Sequence, residues 1–404
     1  MAIAKKRLVM DLDYFDLAWN GITRDKLEKL FDNCARGGFG AMFWSVMSMG
    51  YAEYHSKIIP VYGGQDRRIG SKRCAEGLRA FDGLAAGVEL GKKYGIKIIP
   101  YYRMFDDYWP GCIDAFVDKI PGGWWESRCG NFQLRGWPCY HVPEIFDYKL
   151  RLLREIAGYG VDGILFGCTR SHSLYVQPYR QPHFFGYNQP VADEFKKRYG
   201  IDIRKFDYMD NRATSEGHFA AKDIMFCHEY EYVGAEKFDL KAWHDLKGES
   251  VRDFMREVRK IMGPKAHLAL EASHWACPPK ADPEDPICAK MFFYPAEWAQ
   301  EGTINEWVLS QNWRGSNFAF DSEVLPAFQP VRDAGCEINV WLNDIFSPTG
   351  GDTSTPATPK AVEEYLNIFL ESGQTSATIH EADFLIQNPK ADEMWKFFRR
   401  WFGK

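Results

Sequence analysis

The chain has 404 residues, 50 Lys plus Arg against 55 Asp plus Glu for a net charge of −5, with 46% hydrophobic and 16% aromatic residues. With no Lys/Arg run there is no phosphate-backbone footprint, and no apolar stretch reaches the roughly 18 to 20 residues of a membrane helix. Neither nucleic acid nor a membrane is therefore an expected partner.

Ten cysteines occur without a Cys-x-x-Cys pair, several in apolar runs such as Phe166-Gly167-Cys168 and Phe226-Cys227, and are expected to be reduced and buried. The N-terminus, Met1-Ala2-Ile3-Ala4-Lys5-Lys6-Arg7, passes directly into a strand-like run. No apolar segment follows the basic residues, which points to a cytoplasmic protein, or to a periplasmic or secreted one if a leader has been removed.

Along the chain one unit recurs: a short apolar run, a polar and aromatic loop, then an amphipathic helix ending near Gly. The first run is Arg7 to Asp13, followed by a helix opening at Thr23 as N-cap and stopping at Gly37-Gly38. The second is Ala41 to Met47, with a helix predicted over Glu76 to Lys93. The third is Ile96 to Arg103 with Pro143 to Ala157, and the fourth is Val161 to Phe166 with Pro190 to Tyr199. An acidic, aromatic insertion covers 200–239, before a strong helix pattern from Leu240 to Met262. The fifth run is His267 to Glu271 with Pro295 to Glu301, and the sixth is Glu306 to Gln311 with Glu323 to Ala334. The seventh is Glu337 to Leu342 with Pro359 to Glu371; the eighth is Ser376 to His380 with Lys390 to Trp401.

Eight strand-then-helix units in strict alternation predict an α/β protein, a single (β/α)8 TIM barrel over 1–404 with long βα loops and the insertion after strand four. A doubly wound sheet would carry Gly-x-Gly-x-x-Gly after its first strand, where this chain reads Asp11-Leu12-Asp13-Tyr14-Phe15-Asp16. A P-loop is also missing.

In such a barrel the chemistry lies at the C-terminal strand ends. The predicted ring starts with Asp11 and Asp13, then Trp44 and Ser45, then Tyr101, Tyr102 and Arg103. It continues through Cys168, Arg170 and His172, then Glu271, Ser273, His274 and Trp275, then Gln311, Asn312 and Trp313. Asn343 and Asp344, then His380, Glu381 and Asp383, complete it. Carboxylates and amides among aromatic rings suit a sugar, which presents hydroxyls at its edge and C–H groups on its face. Loop aromatics such as Trp124-Trp125, Trp137, Tyr140 and Tyr187 extend the pattern and suggest an exposed saccharide cleft. Asp162, Glu306 and Glu337 open their strands at the opposite end and are read as structural.

Glu271 ends an apolar run where a buried carboxylate would have a costly charge and a raised pKa, the property a general acid needs. Asp344 and Glu381 are alternatives for the second carboxylate of a glycosidase pair. The other ring residues expected to bind substrate are Asp13, Trp44, Tyr101, Tyr102, Arg103, Arg170, His172, His274, Trp275, Asn312, Trp313, Asn343 and His380. No cofactor or metal is called for: His172, His274 and His380 lie on different strands without a ligand spacing, and no Gly-x-Ser-x-Gly elbow occurs. The Gly350-Gly351-Asp352-Thr353-Ser354-Thr355 loop leaves a metal- or phosphate-dependent lyase or isomerase as an alternative.

Several segments resemble the glycoside-hydrolase-like (β/α)8 barrel families, the family-10-like group of hypothetical glycosyl hydrolases. They are Met42 to Ser56, reading MFWSVMSMGYAEYHS, then Tyr159-Gly160-Val161-Asp162-Gly163-Ile164, Phe185 to Val191, Phe195 to Asp202, and Glu301 to Val308. The resemblance implies a glycosidase acting on an oligo- or polysaccharide. Those families carry an Asp at the end of strand four, in a pattern like Asp-Gly-Ile-x-x-Asp, where this chain has Gly167. The usual strand-four acid is thus missing and Glu271 gains weight. A barrel that binds glycans without cleaving them is the alternative from another class.

Overall fold

The computed structural model describes residues 7–18, 21–64, 69–108, 116–128, 130, 132–168, 185–205, 238–272, 276–277, 291–309, 325–342, 359–360, 362–363, 366–367, 376–379 and 391–402. Eight parallel strands close into a barrel in chain order. They are β1 (Arg7–Leu12), β2 (Phe39–Ser45), β3 (Lys97–Arg103), β4 (Gly163–Gly167), β5 (His267–Glu271), β6 (Glu306–Leu309), β7 (Glu337–Leu342) and β8 (Ser376–Ile379). The register closes the ring, with Arg103 beside Gly167, Gly167 beside Glu271, Glu271 beside Val308, and Arg7 beside Ser376. The predicted (β/α)8 barrel is therefore the observed fold. The expected insertion at 200–239 falls mostly outside the described residues.

Strand alternation sorts side chains into two layers. Val9, Ala41, Phe43, Ile99, Tyr101, Leu165, Ala269, Val308 and Trp341 fill the barrel axis. Their neighbours along each strand face outward against the helices. Outside β2, the helix Arg24–Arg36 is capped as the sequence suggests, its Thr23 hydroxyl accepting from the Lys26 N–H at 3.3 Å. The helix predicted over Glu76 to Lys93 is instead two helices, Ile69–Ala80 and Gly83–Tyr94. Asp82 breaks the run because its carboxylate caps the second helix through the Ala85 N–H and also accepts from Tyr159 Oη at 2.7 Å. Helices Pro143–Ala157 and Leu240–Met262 have the predicted bounds.

At the N-terminal end of the barrel Glu306 is fully buried and holds the strands together. It pairs with Arg7 and accepts from His267 Nε2 at 2.9 Å, Asn339 Nδ2 at 3.1 Å and Ser376 Oγ at 2.8 Å. Burial opposes its charge, but Arg7 and His267 overcome this and hold its pKa down at about 2. Asp162, likewise read as structural, accepts from the Ile98 N–H at 2.9 Å and ties β3 to the entry of β4. The described cysteines, Cys34, Cys74, Cys139, Cys168, Cys277 and Cys336, are all buried, and none of them forms a disulfide. Among the described residues no helix is long and apolar enough to cross a membrane.

Candidate functional site

At the C-terminal end, odd-numbered residues of β3 point inward, which carries Arg103 over the axis above Tyr101. The Arg103 guanidinium organises this end. Its Nη2 donates to Asp13 Oδ2 at 2.8 Å, and its Nη1 donates to Ser45 Oγ at 3.0 Å and to the Met47 carbonyl at 3.3 Å. Its carbon lies 4.8 Å from the Tyr101 ring centroid, a cation stacked on an aromatic face. Asp13 keeps 15% side-chain exposure against 6% for Arg103, so the carboxylate is the more accessible member of a largely buried ion pair.

Glu271 takes the inward position beside Gly167 and Val308. It is fully buried, and its Oε2 accepts from the Cys168 backbone N–H at 3.0 Å. Between Glu271 and Arg103 stands Gly167, where the resembling families have an acid. A Cβ at position 167 would lie 2.4 Å from the Tyr101 ring, so Tyr101 fills the space that such an acid would need.

Two acidic groups at this end, Glu53 and Asp106, lie outside the ring predicted from the strand ends. Glu53 follows a short hairpin, Met47–Ser48 paired with Tyr51–Ala52, that folds back over the end of β2. Asp106 secures the hairpin's left-handed turn, where Met49 has φ 55°, by accepting from the Met49 N–H at 3.2 Å. Glu53 is fully buried; burial first, then the nearby Asp13 charge, push its pKa up to about 8 against the pull of Arg103 and the Ser45 hydroxyl. Asp106 was invisible as a site residue because it lies three positions past its strand. Glu53 lay inside the recognised MFWSVMSMGYAEYHS segment, and the one available signal was a lone carboxylate in an otherwise apolar and aromatic run.

Two residues predicted to bind substrate are packing residues. Trp44 faces outward, 1% exposed, against the helix Gly83–Tyr94, where a Cβ on Gly87 would meet its ring at 2.8 Å. Tyr102 also faces outward, fully buried and stacked on Phe254 at 6.3 Å. Both sit at even positions of their strands, and alternation turns them from the mouth. Tyr101 does point inward, but it is buried beneath Arg103 and edge-on to Trp341 at 5.6 Å. The expected exposed aromatic cleft is corrected for Trp124, Trp125, Trp137, Tyr140 and Tyr187, all buried. Trp137 stacks on Phe105 at 4.6 Å, because the hairpin Trp124–Glu126 with Gln133–Pro138 needs a core of its own above the barrel.

Asp344, Glu381, Arg170, His172, His274, Trp275, Asn312, Trp313, Asn343 and His380 lie outside the described residues, as does the Gly350 to Thr355 loop. Among the described residues one group could hold a metal ion, His267, Glu306 and Glu337 at the N-terminal end. Arg7 already pairs with both of these carboxylates.

Neither models of known protein families nor curated proteins match the sequence. Solved structures do match by fold. The catalytic domain of β-amylase from Paenibacillus polymyxa aligns at TM-score 0.56 and 12% identity, over 99% of this chain and 98% of that one. The PgaB (BpsB) glycoside hydrolase domain from Bordetella bronchiseptica aligns at 0.57 and 12%, over 97% and 98%. A β-N-acetylhexosaminidase from Bacteroides fragilis NCTC 9343 aligns at 0.52 and 11%, over 98% of this chain and 66% of that one. The (β/α)8 barrel is common to all three, and at these identities the likeness is one of fold.

Proposed function

We propose that the chain is a glycoside hydrolase that cleaves an oligo- or polysaccharide by carboxylate acid/base catalysis. The observation that carries this reading is the inward cluster at the C-terminal mouth, with Glu271 on one side and the Asp13–Arg103 pair on the other. Barrel enzymes place their reacting groups at that end. The full-length likeness to glycoside hydrolase domains supports it as an analogy of fold. In this reading Glu271 is one carboxylate and Asp344 or Glu381, from the ends of β7 and β8, is the other. Asp13 and Arg103 engage sugar hydroxyls. Replacing Glu271 by Gln is expected to lower kcat/KM on a cleaved glycan by about a hundred- to ten-thousand-fold with sugar affinity retained. Activity equal to that of the unaltered chain would remove Glu271 from the mechanism.

One observation favours the second reading, a barrel that binds glycan without cleaving it. Glu271 is 0% exposed and already engaged by the Cys168 N–H, as a strand-joining residue would be. Binding of a glycan from a broad panel, with no reducing-end release from any member, would establish that alternative.

A further inference from the structure

The carboxyl of Glu53 has no part in the reading above, yet its position is hard to explain by packing. It is 0% exposed, and neither oxygen has a hydrogen-bond partner of ordinary geometry. The charged and polar groups acting on it are Asp13 from the turn after β1, Ser45 from β2, Arg103 from β3 and Asp106 from the loop beyond. The titratable Tyr14, which opens the short helix Tyr14–Ala18, also lies within reach of its charge. Arg103 is the one cation among these groups, and its bonds go elsewhere: Nη2 to Asp13, Nη1 to Ser45 and the Met47 carbonyl. Of the two carboxylates, Glu53 and Asp13, that share this single guanidinium, only Asp13 is hydrogen-bonded to it. A buried carboxylate with so little hydrogen bonding is far costlier than the neutral acid.

We propose that Glu53 is a positioning residue that remains a neutral carboxylic acid at neutral pH, leaving Arg103 to Asp13 and fixing the Asp13 carboxylate where it meets substrate. This rests on the hydrolase reading for the substrate and on the cluster's geometry for the proton. When Glu53 loses its proton, a second anion competes for Arg103 and loosens Asp13. Its pKa of about 8 places that loss on the alkaline side of neutrality.

The test uses the full chain and has two arms. In infrared difference spectra of the unaltered chain minus Glu53→Gln, a protonated-carboxyl band is expected at neutral pH, fading with a midpoint near pH 8. Asp13→Asn removes the neighbouring negative charge and should move that midpoint down by about one pH unit or more. No such band at neutral pH, or a midpoint indifferent to Asp13→Asn, overturns the proposal without reference to activity. In the second arm, the alkaline fall of kcat/KM on any glycan the chain cleaves should shift upward in Glu53→Gln, each profile taken relative to its own maximum. An identical fall in both proteins overturns the positioning role. If no glycan is cleaved, the hydrolase reading fails and the infrared arm alone decides where the proton resides. Should Glu53→Gln not fold, the midpoint is read from the unaltered chain and Asp13→Asn.

Discussion

A methyl group at position 167 has nowhere to go. With the Tyr101 ring 2.4 Å from where it would sit, Gly167→Ala must push that ring off the barrel axis, and with it the Arg103 guanidinium that lies 4.8 Å from the ring centroid. We expect a loss of about 1–3 kcal/mol, read from the urea midpoint with an unchanged slope. In a Tyr101→Ala background the same substitution should cost much less, since the two residues compete for one volume. The missing strand-four acid is thus the complement of a tyrosine, and that pairing could not be seen in sequence because the two residues lie on different strands. The buried place of Glu271 at its strand end was legible because it ends an apolar run. Trp44 and Tyr102 were misassigned because proximity to a strand end says nothing about which face a side chain takes. Glu53 was missed because its hairpin brings it back to the mouth from beyond the strand.

At the scale of elements, the loop after β3 is clamped to the helix Pro143–Ala157 by a buried ion pair. Lys149 Nζ lies 2.5 and 2.6 Å from the two Asp107 oxygens, and both side chains are almost fully covered. Burial pushes the Asp107 pKa up and the Lys149 pKa down, while each partner's charge opposes the shift. Lys149→Met should cost about 3–5 kcal/mol because it strands a buried carboxylate. Adding Asp107→Asn should recover most of that loss in a chemical-denaturation cycle; strictly additive losses would mean the two groups are not coupled. Element boundaries were readable wherever a cap or a glycine marked them, as at Thr23, Gly95 and Gly263. The Asp82 break was not readable, because its carboxylate finds part of its hydrogen bonding in His55 and Tyr159, far away in sequence.

At the scale of the whole molecule, two of the buried glutamates among the described residues, Glu306 and Glu53, have opposite pH behaviour at opposite ends of one barrel. Glu306 has a folded pKa of about 2, below its ordinary 4.5, so the stability it contributes is present above 4.5 and lost as pH falls toward 2. Glu53, raised to about 8, contributes stability that is present below 4.5 and lost as pH rises toward 8. Unfolding free energy is expected to peak in the mildly acidic range. Glu306→Gln should flatten the acid limb and Glu53→Gln the alkaline one; limbs unchanged in both variants would assign the dependence to other groups. At this scale the sequence was most informative, since eight runs alternating with helices allow few topologies. The functional reading was less so: the rings of Trp124, Trp125, Trp137, Tyr140 and Tyr187, expected in an exposed cleft, are buried in a core of their own above the barrel.

Glu306 also joins the two margins of the sheet, since its carboxylate gathers Arg7 of β1 and Ser376 of β8 around a residue of β6, Arg7 and Glu306 being 299 positions apart in the chain. The ring cannot close until the eighth strand meets the first, and contacts so distant along the chain carry the largest loop-closure cost. Until then β1 and β8 are unpaired margins that could accept a strand from another molecule. The ionic knot at the bottom of the barrel thus acts as a latch in time as well as in space, securing the final step of assembly against the competing one between chains.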